Sequence, residues 1–286
     1  MAYDTGDIID ERYKILGPIG KGGHGTVYRA MDLELQSQVA IKFLHADIAR
    51  EPGFATRMQR EARAMGQLSG TSAVQVFAFN KASGGGMYLV MEYLEGTDLG
   101  RHVLSYEEHG QFMPVRELQE LLEPIATTLE AAHARGIIHR DLKLANIFVL
   151  RSAGRGRVRL LDFGLVKDMK MDPLTMQGMV AGSPAYIAPE AWLGKPDLID
   201  HRIDVYSFGV VVFRLLAGQM PFDPKQTIDK LILQVTRAPR PSLHALRPDL
   251  PARIDEWVKK ALAVAPNDRF QSVQSLWQAL QGVLQS

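Results

Sequence analysis

The sequence predicts an α+β fold in two lobes, a small β-rich lobe with one main helix and then a larger, mainly helical lobe. Two observations carry this. The first third of the chain alternates short apolar runs with turn residues, and after about residue 96 apolar positions recur at helical spacing instead. Of 286 residues, 46% are hydrophobic and 23% charged, which fits a soluble globular chain and not a disordered, collagenous or coiled-coil one.

The strand signals come in order. Tyr13 to Ile19 alternates, a glycine cluster follows, and Thr26-Val27-Tyr28-Arg29-Ala30 resumes. Val39 to Leu44 and Met87 to Tyr93 are further short runs, the second preceded by the turn Ser83-Gly84-Gly85-Gly86. One helix interrupts them: from Pro52, Phe54, Met58, Met65 and Leu68 recur at helical intervals until Ser69-Gly70. In the second part, Leu118, Leu121, Leu122, Ile125, Leu129 and Ala132 form an amphipathic series ending near Gly136. Val205, Phe208, Val212, Phe213 and Leu216 form another ending near Gly218, and 251–264 and 271–284 read as two more. The expected division is an N-terminal extension at 1–12, a small lobe at 13–92 and a large lobe at 93–286.

Bulk chemistry narrows the function. Lys and Arg number 33 against 32 Asp and Glu, a net charge of +1, so a strongly basic nucleic-acid or membrane-surface binder is excluded. The absence of cysteine excludes disulfides, thiolate metal sites and cysteine nucleophiles. No apolar run approaches the roughly 20 residues that span a bilayer, and the acidic start from Met1 to Asp7 lacks the regions of a signal peptide. The expectation is an intracellular chain, or the soluble part of a longer one, that contacts neither nucleic acid nor membrane.

Five local patterns carry chemistry. Gly20-Lys21-Gly22-Gly23-His24-Gly25-Thr26-Val27 places glycines between two strands, where bare backbone can approach phosphate oxygens; a tight hairpin would explain it equally well. A strand and not a helix follows, which argues against a dinucleotide site. Val39-Ala40-Ile41-Lys42 ends an apolar strand in a lysine. That lysine either reaches solvent from an edge or needs an anionic partner, and Glu61, mid-helix between Met58 and Met65, needs a cation. His139-Arg140-Asp141-Leu142-Lys143-Leu144-Ala145-Asn146 crowds five polar residues between a helix and a strand. A carboxylate, a lysine and an amide at these intervals can accept a hydroxyl proton, contact a phosphate and ligate a metal. Leu160-Leu161-Asp162-Phe163-Gly164 closes a strand with a carboxylate, and Ala188-Pro189-Glu190 closes the segment that Asp162 opens.

Together these five resemble the signature set of eukaryotic-like protein kinases, in the same order and from about Tyr13 to Trp277. The resemblance implies the bilobal protein-kinase fold and ATP with Mg²⁺ as cofactors, Mn²⁺ being the alternative cation. It implies that Gly20, Lys21, Gly22, Gly23, His24 and Gly25 cover the ATP phosphates, and that Lys42, oriented by Glu61, holds the α- and β-phosphates. Asp141 becomes the catalytic base, and Lys143 resembles the serine/threonine-specific form of its loop. Asn146 and Asp162 become the metal ligands. Val27, Ala40 and Phe148 would sandwich the adenine, with Met91 behind it and Glu92 to Leu94 as the hinge. Asp204 resembles the aspartate that anchors the catalytic loop, and Glu190 would pair with Arg269.

Between Asp162 and Glu190, Thr175 is the one threonine of a loop. Phosphorylation there would add a dianion for Arg140, which makes autophosphorylation at Thr175 the expected regulatory event. The opening Asp10 to Leu16 and the stretch Gly22 to Asp32 resemble bacterial serine/threonine kinases. Those often continue into a linker, a membrane span or sensor domains, and many self-associate through the small lobe. Protein substrates and a cytoplasmic location, or the cytoplasmic part of a membrane-anchored protein, follow from the resemblance.

Three departures stand out. Leu144 occupies a position where the family commonly has proline. Thr71-Ser72-Ala73 replaces the usual His-Pro-Asn after the Glu61 helix. Pro124 falls inside a helical run, where it costs about 3 kcal/mol unless the helix kinks or begins there. Arg151, Arg155, Arg157 and Arg159 around Gly154 and Gly156 read as a solvated hairpin turn, or secondarily as an acidic docking site. Two other functions compete: a pseudokinase scaffold, disfavoured because Lys42, Asp141, Asn146 and Asp162 are all present, and a small-molecule kinase, disfavoured by the segment with Pro184 and Tyr186 before Ala188-Pro189-Glu190.

Overall fold

In the computed structural model, residues 3–22, 25–45, 53–83, 85–152, 154, 156–163, 184–194 and 196–285 are described, apart from the side chains of residues 57, 60, 61, 63, 64 and 196. The chain divides into two compact units, Met1–Glu95 and Gly96–Ser286.

The first unit is an antiparallel sheet with one helix. Its strands are β1 (Ile8–Ile9), β2 (Tyr13–Gly22), β3 (Gly25–Asp32), β4 (Ser37–Leu44), β5 (Val76–Lys81) and β6 (Met87–Glu92), in the order β1-β2-β3-β4-β6-β5. β2 runs three residues further than the alternation ending at Ile19 indicates, because Gly22 still pairs with Gly25. The glycine cluster is thus the end of a hairpin. The ladder shifts register between Pro18 and Gly20, as expected where proline has no N–H to give.

Residues opposite each other in a ladder share a face, and neighbours alternate. One face gathers Tyr13, Ile15, Tyr28, Ala30, Val39, Ile41, Phe43, Tyr88 and Val90 into a buried cluster. Tyr3 packs on it, with its ring 4.3 Å from that of Phe43. The segment before Tyr13 therefore belongs to this unit. It is tied further at Asp10, whose carboxylate accepts from the Tyr88 hydroxyl at 2.6 Å and from Ser83 N and Oγ at 3.0 and 2.8 Å. Helix α1 (Phe54–Gly66) buries Phe54, Met58 and Met65. After it, Thr71 Oγ1 donates to Leu68 O at 2.7 Å and accepts from Ala73 N at 3.2 Å. This local turn stands in for the usual His-Pro-Asn.

The second unit begins with β7 (Gly96–Asp98), which pairs with β8 (Ile147–Leu150), and β8 pairs with β9 (Val158–Leu160). Its helices are α2 (Leu99–Glu107), α3 (Val115–His133), α4 (Pro189–Trp192), α5 (Arg202–Ala217), α6 (Ile228–Arg237), α7 (Leu243–Leu246), α8 (Ile254–Ala261) and α9 (Val273–Leu284). α5 is apolar nearly all round: Val205, Phe208, Val210, Val211, Val212, Phe213, Leu215 and Leu216 are all buried. A helix of that kind sits inside its unit with others packed about it, and α5 ends at Gly218 in the left-handed conformation, φ 68°.

Pro124 falls inside α3, as the helical run indicates; the helix does not begin there, and Thr128 Oγ1 bonds the Pro124 carbonyl at 2.7 Å. One expectation needs correction here. The arginine cluster is solvated only in part: Arg151 is exposed, but Arg159 is buried, and Arg157 donates to Glu120 at 2.7 Å and to Glu117 at 3.2 Å on α3, while Arg155 lies outside the described residues. Two carboxylates of α3 thus pair with Arg157. The short helices α2, α6 and α7, and strands β1 and β5, were not legible, since each buries only one or two apolar positions or alternates too briefly.

A Cβ built at Gly25 would lie 2.0 Å from the Phe43 carbonyl oxygen, whereas one at Gly22 meets nothing within 4 Å. Gly25→Ala is therefore expected to lower the thermal midpoint by about 5 °C or more, and Gly22→Ala to leave it unchanged, as read by circular dichroism.

Candidate active site

Each unit carries one part of the predicted site. In the first, β4 is an interior strand between β3 and β6. The registers Val27↔Lys42↔Leu89 and Ala40↔Met91 put Val27, Ala40, Lys42, Leu89 and Met91 on one face, opposite the core cluster. Lys42 is only 8% exposed, so its charge needs compensation. Beyond β6, the Glu92 N–H donates to Gln75 O, and its carboxylate accepts from Gln75 N, both at 2.9 Å. This fixes the start of the Glu92 to Leu94 stretch, and Leu94 is half-buried. Gly20 and Gly22 lie in β2 with the exposed Lys21 between them. Gly23 and His24 lie outside the described residues. Glu61 lies in α1, with its side chain outside them.

In the second unit the loop between α3 and β8 is organised by one carboxylate. Asp204, in the first turn of α5 and fully buried, accepts from His139 N at 2.7 Å, Arg140 N at 2.8 Å and His133 Nε2 at 2.8 Å. Burial pushes the Asp204 carboxyl up, but the His133 contact, helped by His139, more than offsets this and leaves the group below its ordinary value, so it stays ionised. The loop needs such an anchor. Arg140 has φ 64° and Asp162 φ 47°, left-handed conformations that cost a non-glycine residue about 1 kcal/mol or more.

His139 is a second anchor. Its Nδ1 accepts from Asp141 N at 3.2 Å, so Nε2 carries the proton and donates to Leu161 O at 2.8 Å. Its ring also lies 4.7 Å from that of Phe163. One buried imidazole thus links the Asp141 loop to the chain just before Asp162. Burial lowers its proton affinity and keeps it neutral.

Around Asp141 the polar groups converge. Lys143 Nζ lies 2.8 Å from Asp141 Oδ2, and Asn146 Nδ2 donates to Asp141 O at 2.7 Å and Oδ2 at 3.1 Å. Leu161 N donates to Asn146 O at 2.8 Å, so Asn146 and the neighbour of Asp162 are bound together where β8 and β9 meet. Phe148, in β8, is half-buried. The asparagine, the lysine and the aspartate are thereby gathered by this loop, and Asp162 is held beside it.

The segment that ends at Glu190 has its own anchor. Arg269 meets Glu190 in two parallel bonds of 2.7 and 2.6 Å, both residues being buried. Arg269 also donates to the carbonyls of Ala263, Val264 and Arg202. Removing one partner of such a pair costs about 3–5 kcal/mol. Burial, the largest effect, pushes the Tyr186 hydroxyl up to about 12. Thr175 and Gly164 lie outside the described residues. The sequence reading gave no role to His133 or His139; the signal was present in a histidine placed directly after the apolar pair Ile137-Ile138.

Residues 13–280 match the family described as protein kinase domain. The chain belongs to that family. It is a kinase domain of the bacterial, eukaryotic-like serine/threonine type. It is 35% identical over 275 residues to serine/threonine-protein kinase Pkn1 of Myxococcus xanthus, covering 95% of this chain and 38% of that protein. It is 37% identical to serine/threonine-protein kinase PksC of Streptomyces coelicolor, covering 93% and 48%. The crystal structure of the Mycobacterium tuberculosis PknI kinase domain superposes with a TM-score of 0.78 at 28% identity, over 100% of both chains. The chain spans about a third to a half of the curated relatives named here, and among the described residues no helix is long and apolar enough to cross a membrane.

Because the buried His139 has its proton affinity depressed from the ordinary 6.5, the unfolded chain takes up a proton there first as pH falls. Stability is therefore lost on lowering pH through 6.5, by up to about 1.4 kcal/mol per pH unit from this one group. Urea unfolding between pH 7.5 and 5.5 should show that slope, and His139→Asn should lack this share of it.

Proposed function

We propose that the chain is an ATP-dependent serine/threonine protein kinase. It transfers the γ-phosphoryl group to hydroxyls of protein substrates, with Mg²⁺, or alternatively Mn²⁺, as the cation. The observation that carries this is the convergence on Asp141: a carboxylate paired with Lys143 and bonded by Asn146, in a loop fixed by Asp204.

In this reading Asp141 takes the proton of the substrate hydroxyl as its oxygen bonds the γ-phosphorus and the bond to ADP breaks. Lys143 stabilises charge on the phosphoryl oxygens. The Asn146 amide nitrogen is occupied by Asp141, which leaves its oxygen as an acceptor. With the Asp162 carboxylate it offers two hard oxygen donors, and a cation that keeps waters and takes phosphate oxygens needs no more from the protein. Asn146 and Asp162 would hold it, and when bound it supplies charge neutralisation of the phosphates.

Lys42, with Glu61, holds the α- and β-phosphates. Val27, Ala40 and Met91 on the same sheet face, with Phe148, line the adenine site, and Glu92 and Leu94 bond the base. Gly20 and Gly22 have open space where a Cβ would be. The fold itself makes no use of their missing side chains, which leaves bare backbone for phosphates. Lys21, Gly23, His24 and Gly25 complete that cover. Thr175 is the autophosphorylation site that engages Arg140, while Asp204, Glu190 and Arg269 serve as structural supports. A cytoplasmic location, alone or as part of a membrane-anchored protein, and self-association through the first unit belong to the same reading on family grounds.

The test is transfer of labelled phosphate from ATP with Mg²⁺ onto the chain and a generic basic protein. Label on serine and threonine is expected, reduced by about 10²- to 10⁴-fold in Lys42→Met and Asp141→Asn. Undiminished labelling in either variant would contradict the assignment.

A further inference from the structure

Strand β3 turns Val27, Arg29 and Met31 to the sheet face opposite the core cluster, since Tyr28 and Ala30 belong to that cluster. Val27 lines the adenine site in the reading above, and Arg29 is the next side chain on the same face. Its ladder partner is Ala40, so Gln38, two residues before Ala40 in β4, is its diagonal neighbour. Arg29 Nε donates to Gln38 Oε1 at 3.0 Å, and its guanidinium carbon lies over the Tyr93 ring, 5.0 Å from the centroid. A bond to the neighbouring strand thus holds the cation on the negative face of an aromatic ring, where the two attract.

Tyr93 is the middle residue of the stretch Glu92 to Leu94. The ladder between β4 and β6 ends at the pair Val39↔Glu92, so Tyr93 and Leu94 lie beyond it. Glu92 is fixed to Gln75. Past Glu92, the contact with Arg29 ties the stretch back to the sheet. It does so through a side chain, without using the backbone donors and acceptors that a purine base would need.

We propose that Arg29, braced by Gln38, is a positioning residue for adenine binding: resting on Tyr93, it fixes the direction in which Glu92 and Leu94 meet the base. The proposal rests on the reading of the chain as an ATP-dependent kinase. Arg29 acts through Tyr93 and not by touching the nucleotide. Order imposed on the stretch before binding lowers the entropic cost of binding, so the contact governs affinity. It does not govern phosphoryl transfer, because bound ATP holds the stretch with or without Arg29.

Three variants separate the roles. Arg29→Met removes the cation and keeps an apolar stem, Arg29→Lys keeps a cation for the ring, and Gln38→Leu removes the brace. The KM for ATP should rise about 2- to 5-fold in Arg29→Met, the usual worth of one exposed contact of a cation with a ring. The turnover number should hold, as when an interaction common to ground and transition state is lost. Arg29→Lys should recover part of the loss. Gln38→Leu should lose less than Arg29→Met, and the double variant should match Arg29→Met, since Gln38 acts only through Arg29. The dissociation constant of adenosine, read by calorimetry, should rise by the same factor as that of ATP, because adenosine carries the base and no phosphate. A cation that only attracted phosphate charge would weaken ATP and spare adenosine. An unchanged adenosine constant in Arg29→Met, a loss confined to the turnover number, or effects that multiply in the double variant would each overturn the proposal. Order parameters of the Tyr93 and Leu94 amides, from nitrogen relaxation of the nucleotide-free chain, should fall in Arg29→Met, and unchanged values would overturn it equally. That measurement needs neither activity nor nucleotide. A chain that binds neither adenosine nor ATP would count against the kinase reading alone, since the relaxation data still decide the contact.

Discussion

The second unit depends on a single buried carboxylate. Asp204 projects from a mostly apolar helix, where it satisfies two backbone N–H groups and a histidine at once. Those bonds hold Arg140 in a backbone conformation it would not adopt freely. That conformation turns the chain so that Asp141, Lys143 and Asn146 face one another. A buried charge is costly unless it is fully engaged, and here the cost is met by the hydrogen bonds that shape the loop. Stability and geometry thus come from the same contacts.

The other supports follow the same logic at different points. His139 stays neutral because it is buried, and a neutral imidazole can accept from Asp141 and donate to Leu161 at the same time. Arg269 is the deepest cation among the described residues of the second unit, and its donors go to Glu190 and three carbonyls. In the first unit the constraint is alternation. Because the core occupies one face of the sheet, Lys42 and its neighbours are left on the other.

Much of this was legible in the sequence, for reasons that differ by element. α5 and α3 could be read because many apolar positions repeat at one period, and the motif residues because five unusual clusters occur in order. What could not be read were short elements with few buried positions, such as β5 and α7, and contacts between residues distant in the chain. Arg157 illustrates the second kind. An arginine among glycines looks solvated until α3 supplies Glu117 and Glu120 from about 40 residues away. His133 is another, since nothing local shows that its partner is Asp204, 71 residues on. The strain at Arg140 and Asp162 is a backbone property that residue identity does not report.

The claim at the centre is that Asp204 acts through loop geometry and not through ATP binding. The direct test is the turnover number of Asp204→Asn on a peptide at saturating ATP, with ATP affinity measured on the same folded protein. The account predicts a turnover number lower by about 100-fold, as expected when a reacting group is misplaced by about an ångström, with ATP affinity unchanged. Full turnover in a folded Asp204→Asn protein would contradict it.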